Sequence, residues 1–421
     1  VSILKNTIMK IPFSPPFIDQ SVIDQVMDTL NSKWITSGPK VKALEDEMVA
    51  LTGSKEAVCV NSWTSGAIMM LKWFGVGEGD EVIVPAYSYC ATALCVLHCG
   101  AKPVMVDILD DLTISPTKIK EAITNKTKAI LAVDIAGLPC NYDAINKLIK
   151  EPNIRGLFIP ESEKQSVLGR ILLISDAAHS IGAIYNGLPS ALKADITIFS
   201  FHAVKNITTA EGGCICLNLP EVFDSNMEYS FLKMFSLNGQ TKDAFTKSMG
   251  NNWRYDIIFK GLKINMPDIC AAIGLAQIRK YNSTLLPERK RIAQKFCNAF
   301  LLYDWFIAPI LQDESRESSY HLFPLRIKNI TEEERDQLID KIMDTGVNVN
   351  VHFIPMPMLS YFKSIGYRIK DYPNSYKQYS CEISLPIYPQ LKEEEIDYIL
   401  SNVIDKIQAL VNQKSLVEIS S

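Results

Sequence analysis

Little in this sequence points to a metal or to nucleic acid. Ten cysteines are spread over 421 residues and none stands in a C-x-x-C pair, so neither a zinc ribbon nor a dithiol redox site is indicated. Cys214 and Cys216 alternate along one apolar run and should share a face as small core residues. Thiols this scattered fit a reducing compartment, and the chain is expected in the cytoplasm. Long basic clusters are missing as well. Net charge is −4, and Arg289-Lys290-Arg291, following Glu288, reads as a solvated helix face rather than a nucleic-acid patch. Internal repeats and low-complexity tracts are absent. Charge itself is absent from Val82 to Ala101, twenty residues without Asp, Glu, Lys or Arg. Pro85, His98, Gly100 and several hydroxyls argue against a membrane span there, and a strand, a turn and a buried helix fit better. Val1 to Ile8 lacks the layout of a signal peptide, and with Met9 as a start it reads as an extension without a role.

What is present is the composition of an ordinary globular protein, 47% hydrophobic and 21% charged, with length enough for two domains. A Pro-rich arm and an amphipathic helix from Ser21 to Leu30 occupy residues 1–30. Helical periodicity returns over Val41–Leu51. Apolar, β-branched runs then recur at Ala57–Val60, Val82–Pro85, Val104–Val106, Ala129–Val133, Ile171–Ser175, Ile196–Phe199 and Cys214–Leu217. Helical patterns at Ser65–Phe74, Thr92–Cys99, Pro116–Ile123 and Asp143–Ile149 lie between them. Seven buried strands with interposed helices predict an α/β domain on a mostly parallel sheet over residues 31–280. Pro220–Lys263 reads as irregular, and Pro267-Asp268 opens a long helix. Residues 281–412 read as a small α+β domain. Its strands are expected at Tyr320–Ile327 and Val347–Val351, and its helices at Thr331–Asp344 and Lys392–Leu410. A frayed tail, 413–421, closes the chain.

In parallel sheets ligands bind beyond the carboxyl ends of the strands, so the polar residues after each run are the candidates. Asn61-Ser-Trp-Thr-Ser-Gly66 follows the first run at a helix start, where a phosphate would be at home, and a plain N-cap by Ser62 or Thr64 is the alternative. Tyr87 or Tyr89, after the second run, could stack on a planar ring or serve as a core aromatic. Asp176-Ala-Ala-His179 ends the fifth run. A carboxylate there needs a cationic partner, either a pyridinium nitrogen or a structural Arg or Lys. Lys205 sits on the turn after the sixth run, ahead of Gly212-Gly213, and suits a covalent cofactor anchor; an ordinary lysine on a surface hairpin is the alternative. Phosphate seat, aromatic lid, carboxylate and lysine together meet the needs of pyridoxal 5′-phosphate.

Along the chain stand Trp34-Ile-Thr-Ser-Gly-Pro39, Gly79-Asp-Glu-Val-Ile-Val-Pro85, Gly100-Ala-Lys-Pro-Val104, Asp176-Ala-Ala-His179, Ser200-Phe-His-Ala-Val-Lys205, Asn265-Met-Pro-Asp268 and Ser384-Leu-Pro-Ile-Tyr-Pro389. With these motifs in this order, the chain resembles the DegT/DnrJ/EryC1/StrS family of sugar aminotransferases from about Ile11 to Leu410. The resemblance implies a fold-type-I pyridoxal-phosphate enzyme whose large domain has a seven-stranded, mostly parallel sheet, with a small C-terminal α+β domain. It implies that Lys205 anchors the cofactor and shuttles the proton, that Asp176 pairs with the ring nitrogen, and that His179 covers the ring. Tyr89 takes the stacking position, and Thr64, Ser65 and Ser200 hold the phosphate, joined by Asn265 from a neighbouring subunit of a homodimer. Thr36 and His352 are implied substrate contacts.

Ser200 to Gly213 resembles most the branch that aminates C4 of UDP-linked 4-keto sugars, with His202 as a branch marker. L-glutamate is then the expected donor and a nucleotide-linked 4-keto-6-deoxy sugar the acceptor, in surface polysaccharide or glycan biosynthesis. The rivals are a C3 keto-sugar aminotransferase, a sugar dehydratase (whose anchoring lysine is replaced by histidine) and a non-catalytic pyridoxal-phosphate-binding regulator. Three stretches depart from the family pattern: Ser62-Trp63, Asp134-Ile-Ala-Gly137 and Met356-Pro357-Met358. Ile154–Arg170 has no family counterpart and is expected to be a surface insertion. No metal is expected, and neither nucleic acid nor a membrane is an expected partner.

Overall fold

A computed structural model describes residues 9–242 and 253–420. The extension expected at residues 1–8 lies outside the described residues. Seven strands form the main sheet: β1 (Glu56–Val60), β2 (Glu81–Pro85), β3 (Lys102–Val106), β4 (Thr127–Val133), β5 (Leu172–Asp176), β6 (Ile196–Ser200) and β7 (Gly213–Leu217). Their order is β1-β7-β6-β5-β4-β2-β3. All neighbours run parallel except β7, which is antiparallel to both β1 and β6. Each expected run thus became a strand, because a sheet covered on both faces demands continuous apolar segments.

Alternation along the strands divides the core. Val58, Val60, Ile196, Ile198, Ile215 and Leu217 face one hydrophobic cluster; Ala57, Cys59, Phe199, Cys214 and Cys216 face the other. Cys214 and Cys216 therefore share a face, as their spacing predicts. The uncharged stretch after Val82 is β2 followed by the helix Ala91–His98, and no described helix is long and apolar enough to cross a membrane.

A third cluster gathers Ile11, the helix Leu286–Phe300, the strand Phe323–Ile327, the helix Glu332–Met343 and the start of the last helix. Phe323–Ile327 pairs antiparallel with Phe306–Ile307 and with Glu382–Leu385.

Several expectations change here. Val347–Val351 is no strand. It makes only isolated bridges, Val347 to Ile11 and Asn350 to Ser384. The irregular region holds a helix, Ser225–Phe235, capped by Asp224, because Leu232 and Phe235 are drawn into the main core. The last helix runs to Ser420 instead of fraying at 413, since no Gly or Pro interrupts it and Lys414 Nζ bonds Asn329 O and Glu334 at 2.8 Å each. Arg289 is not on a solvated face. It is buried, and its Nη1 donates to the carbonyls of His321 (3.2 Å) and Ile387 (3.0 Å). The insertion after residue 153 is more than surface chain, because Ile154, Phe158 and Leu168 pack into the core and Ile159 O accepts from the buried Lys128 at 2.6 Å.

Candidate active site

The carboxyl ends of β1, β2, β5 and β6 open onto a cavity of about 420 Å³. Phe13 of the N-terminal arm, with His352 and Phe353 of the C-terminal region, forms part of its wall. Parallel strands aim the residues that follow them at this one edge, which is why positions 64, 89, 176 and 205 meet despite their distance in sequence.

Asp176, the last residue of β5, is 4% exposed. One carboxyl oxygen accepts from Thr92 Oγ1 at 2.9 Å and the other from Ala178 N at 3.3 Å. Burial pushes its pKa up to about 7 despite these donors. Lys205 lies on the loop between β6 and β7, where its backbone N–H bonds His202 O. Among the described residues its Nζ has no hydrogen-bond or ion-pair partner. Burial lowers its pKa to about 8, and the Asp176 charge only partly opposes this. A cation short of a partner and a buried carboxylate short of a cation share one cavity.

β1 leads into the helix α1 (Trp63–Trp73), capped by Ser62, whose Oγ accepts from Ser65 N at 3.1 Å and lies 2.9 Å from Ser65 Oγ. The amides of Trp63 and Thr64 have no protein acceptor among the described residues, so the helix presents free N–H groups beside the cavity-lining Ser62, Thr64 and Ser200. Gly213 brings β7 against this turn: a Cβ there would fall 2.8 Å from Ser62 C and from Trp63 N.

Four histidines line the same cavity; His202 is exposed, and burial keeps the other three, His179, His321 and His352, neutral. His179 Nδ1 accepts from Ala136 N at 3.2 Å, which places its proton on Nε2. His321 packs on His179 with ring centroids 4.4 Å apart. Asn206 Nδ2 donates to Tyr281 Oη and Ser319 O, both at 3.0 Å, so its Oδ1 faces His321 Nδ1 at 2.8 Å and takes that nitrogen's proton. Tyr89 stands at the rim, 60% exposed, with its ring 5.9 Å from that of Phe353. Tyr87 is buried and donates to His352 O at 2.7 Å, which makes it the core aromatic of the pair.

The profile of the DegT/DnrJ/EryC1/StrS aminotransferase family matches residues 16–404. The chain belongs to that family. The spore coat polysaccharide biosynthesis protein SpsC of Bacillus subtilis is 34% identical over 403 residues, covering 94% of this chain and 97% of SpsC. Among solved structures, Spr1654 of Streptococcus pneumoniae, named as a sugar aminotransferase, superposes in its PMP form with a TM-score of 0.91. It is 39% identical, over 97% of this chain and all of that one, and is also known in a PLP form. Helicobacter pylori PseC, an aminotransferase of pseudaminic acid biosynthesis, is 26% identical with a TM-score of 0.81, over 95% of this chain and all of PseC.

The protein is thus a pyridoxal-phosphate-dependent aminotransferase with that family's α/β fold. Its residues fit the cofactor: an unpartnered amine, a buried carboxylate, free amides at the start of α1 and a glycine where any side chain would press on them.

The structure does not bring every expected residue to the cavity. Ser65 is held just behind it through Ser62. Thr36 and Asn265 line a separate groove of about 950 Å³, where Asn265 Nδ2 donates to Ser37 Oγ at 2.6 Å. Asp134 contacts no ligand space: it is buried and accepts from Tyr142 Oη, Ser180 Oγ and Cys140 N. His321 went unnoticed in the sequence. A histidine within the strand expected at Tyr320–Ile327 was its one signal.

Proposed function

We propose that the protein transfers the amino group of L-glutamate to C4 of a nucleotide-linked 4-keto-6-deoxy sugar, UDP-linked by preference, for a surface polysaccharide. The observation that carries this reading is the unpartnered Lys205 amine facing the buried Asp176 in a cavity large enough for more than the cofactor. SpsC and PseC, by their own names, support a polysaccharide or amino-sugar setting. Residues 200–213 favour C4 over C3, and Lys205 itself disfavours the dehydratase reading.

Bound pyridoxal phosphate supplies the electron sink and carries the amino group between the two substrates. Asp176 Oδ1 and Oδ2 balance the charge of a protonated ring nitrogen. The amides of Trp63 and Thr64, with the side chains of Thr64 and Ser200, hold the phosphate, and Ser65 supports that turn through Ser62. Tyr89 and His179 cover the ring faces and exclude water. Lys205 Nζ, neutral for part of the cycle because its pKa is lowered to about 8, would shuttle the proton between the substrate carbon and the cofactor carbon. His352 contacts the sugar nucleotide, joined by Thr36 of the partner subunit.

Thr36 and Asn265 do not line the cavity of their own chain, which supports a homodimer in which the partner copy completes each phosphate seat. A cytoplasmic location belongs to the same proposal, and the free cysteines support it. Incubating the holoenzyme with glutamate and a panel of UDP-, dTDP- and GDP-4-keto sugars, with products identified by NMR, tests it. A product aminated at C3, or none with any acceptor, refutes the C4 assignment.

A further inference from the structure

We propose that Glu382, Ser384 and His352 form a proton relay ending at the cavity, which delivers the proton with which the acceptor's ketone oxygen departs as water. The relay rests on the keto-sugar reading above and assigns a residue set to its second half.

Glu382 and Ser384 alternate on one strand, so both side chains point to the same side, and both are fully buried. Ser384 Oγ lies 2.5 Å from Glu382 Oε1 and 2.9 Å from His352 Nδ1. His352 N donates to Glu382 Oε2 at 3.1 Å, which fixes the carboxyl group against the loop that carries the imidazole. His352 lines the cavity, and its Nε2 has no partner among the described residues.

Among the described residues no cation bonds the Glu382 carboxyl group. Arg335 donates instead to the backbone oxygens of Glu382 and Tyr379, and Arg326 Nη1 to Gln378 Oε1 and Asp110 O. Burial raises the Glu382 pKa to about 8 against the opposing charges of Arg335 and Arg326, so the carboxyl group holds its proton near neutral pH.

Hydrogen-bond direction then follows. The Glu382 proton points to Ser384 Oγ, the Ser384 proton points to His352 Nδ1, and the imidazole keeps its own proton on Nε2, on the cavity side. Ionising Glu382 reverses the chain. Ser384 then donates to the carboxylate, and His352 must hold its proton on Nδ1, leaving only a lone pair for the cavity.

Exchanging a ketone oxygen for an amine breaks a carbon–oxygen bond, with the electron pair leaving on oxygen. His352 Nε2–H protonates that oxygen as Nδ1 takes the Ser384 proton and Ser384 takes the Glu382 proton. A carboxylate remains. The nitrogen that replaces the oxygen sheds two protons: the first makes the oxygen a hydroxyl, and the second passes through Lys205 or solvent to His352 Nε2, whose Nδ1 proton then moves back through Ser384 to Glu382 and resets the relay. Glu382 and Ser384 are positioning residues, whereas His352 touches the substrate.

The test uses the holoenzyme with ¹⁵N-labelled histidine, read by NMR, together with separate single-turnover measurements of the two half-reactions. Wild-type His352 is expected as the Nε2–H tautomer near neutral pH, changing to Nδ1–H as pH passes the Glu382 value of about 8. Arg326 and Arg335 stay charged across that window. Tyr87 and Cys381, also near Glu382, have their pKa values raised. Glu382→Gln and Ser384→Ala are both expected to abolish the change and to slow amine transfer to the sugar on the order of 10²-fold, with the glutamate half-reaction within about twofold. A His352 tautomer indifferent to pH in the wild type overturns the relay, and so does an equal loss in both half-reactions. If glutamate never converts the cofactor in the wild type, the aminotransfer reading fails instead, while the tautomer measurement still decides the relay.

Discussion

Replacing Asp176 by Asn separates two consequences of one buried charge that have opposite signs. Without cofactor, the carboxyl group is 4% exposed and has a pKa of about 7 against 3.8 for the exposed group. A raised acid pKa means that the folded state binds more protons than the unfolded state between those two values. Stability therefore falls across that window by about 1.4 kcal/mol per pH unit as pH rises, and stays low above it. Relative to an exposed carboxylate, Asp176 costs about 4 kcal/mol at about pH 8 and less than ~2 kcal/mol at about pH 5. Asn has the same shape without the charge. Thr92 can turn its hydroxyl toward Ser88, 2.9 Å away, and accept from the new amide.

Asp176→Asn is thus expected to stabilise the cofactor-free protein, by about 2–3 kcal/mol more at about pH 8 than at about pH 5. Cofactor affinity moves the other way, falling roughly 10²-fold or more, because a buried cationic ring nitrogen loses its counter-charge. Urea unfolding of the cofactor-free protein at the two pH values, and a spectroscopic cofactor titration, measure the two effects. A stability difference that does not change with pH, or an unaltered affinity, would refute the account of Asp176 as a desolvated charge awaiting a cation.

Lys205→Ala is expected to abolish the protein–cofactor adduct trapped by borohydride, and an adduct surviving in the variant, seen by mass spectrometry, removes Lys205 from its role. Gly213→Ala places a methyl group 2.8 Å from Trp63 N, so the start of α1 must shift; cofactor affinity is expected to fall roughly tenfold or more, measured by fluorescence titration. Arg289→Ala strips a buried donor from the carbonyls of His321 and Ile387, and its expected cost is about 3 kcal/mol, read as a lowered thermal midpoint.

The central strands were legible because burial on both faces leaves a local mark, a short β-branched run between polar turns. Residues just past those runs were legible for a related reason: the topology of a parallel sheet sends Thr64, Tyr89, Asp176 and Lys205 to one edge whatever loops intervene. Local pattern failed where a segment's environment comes from far along the chain. Arg289 looks solvated beside Lys290 and Arg291, yet backbone carbonyls brought from residues 321 and 387 enclose it. Val347–Val351 has the composition of a strand but finds only single bridges instead of a continuous partner.

The sequence alone determined that a lysine and a carboxylate would meet at the strand ends of an α/β sheet, because strand period and crossover topology are properties of local pattern. Only the tertiary structure decided what surrounds them. It packs His321 on His179, sets its tautomer through Asn206, and turns Glu382 and Ser384 toward His352. Those contacts join residues that lie roughly 30 to 140 positions apart, and hydrogen-bond direction is fixed only when each donor's neighbours are in place.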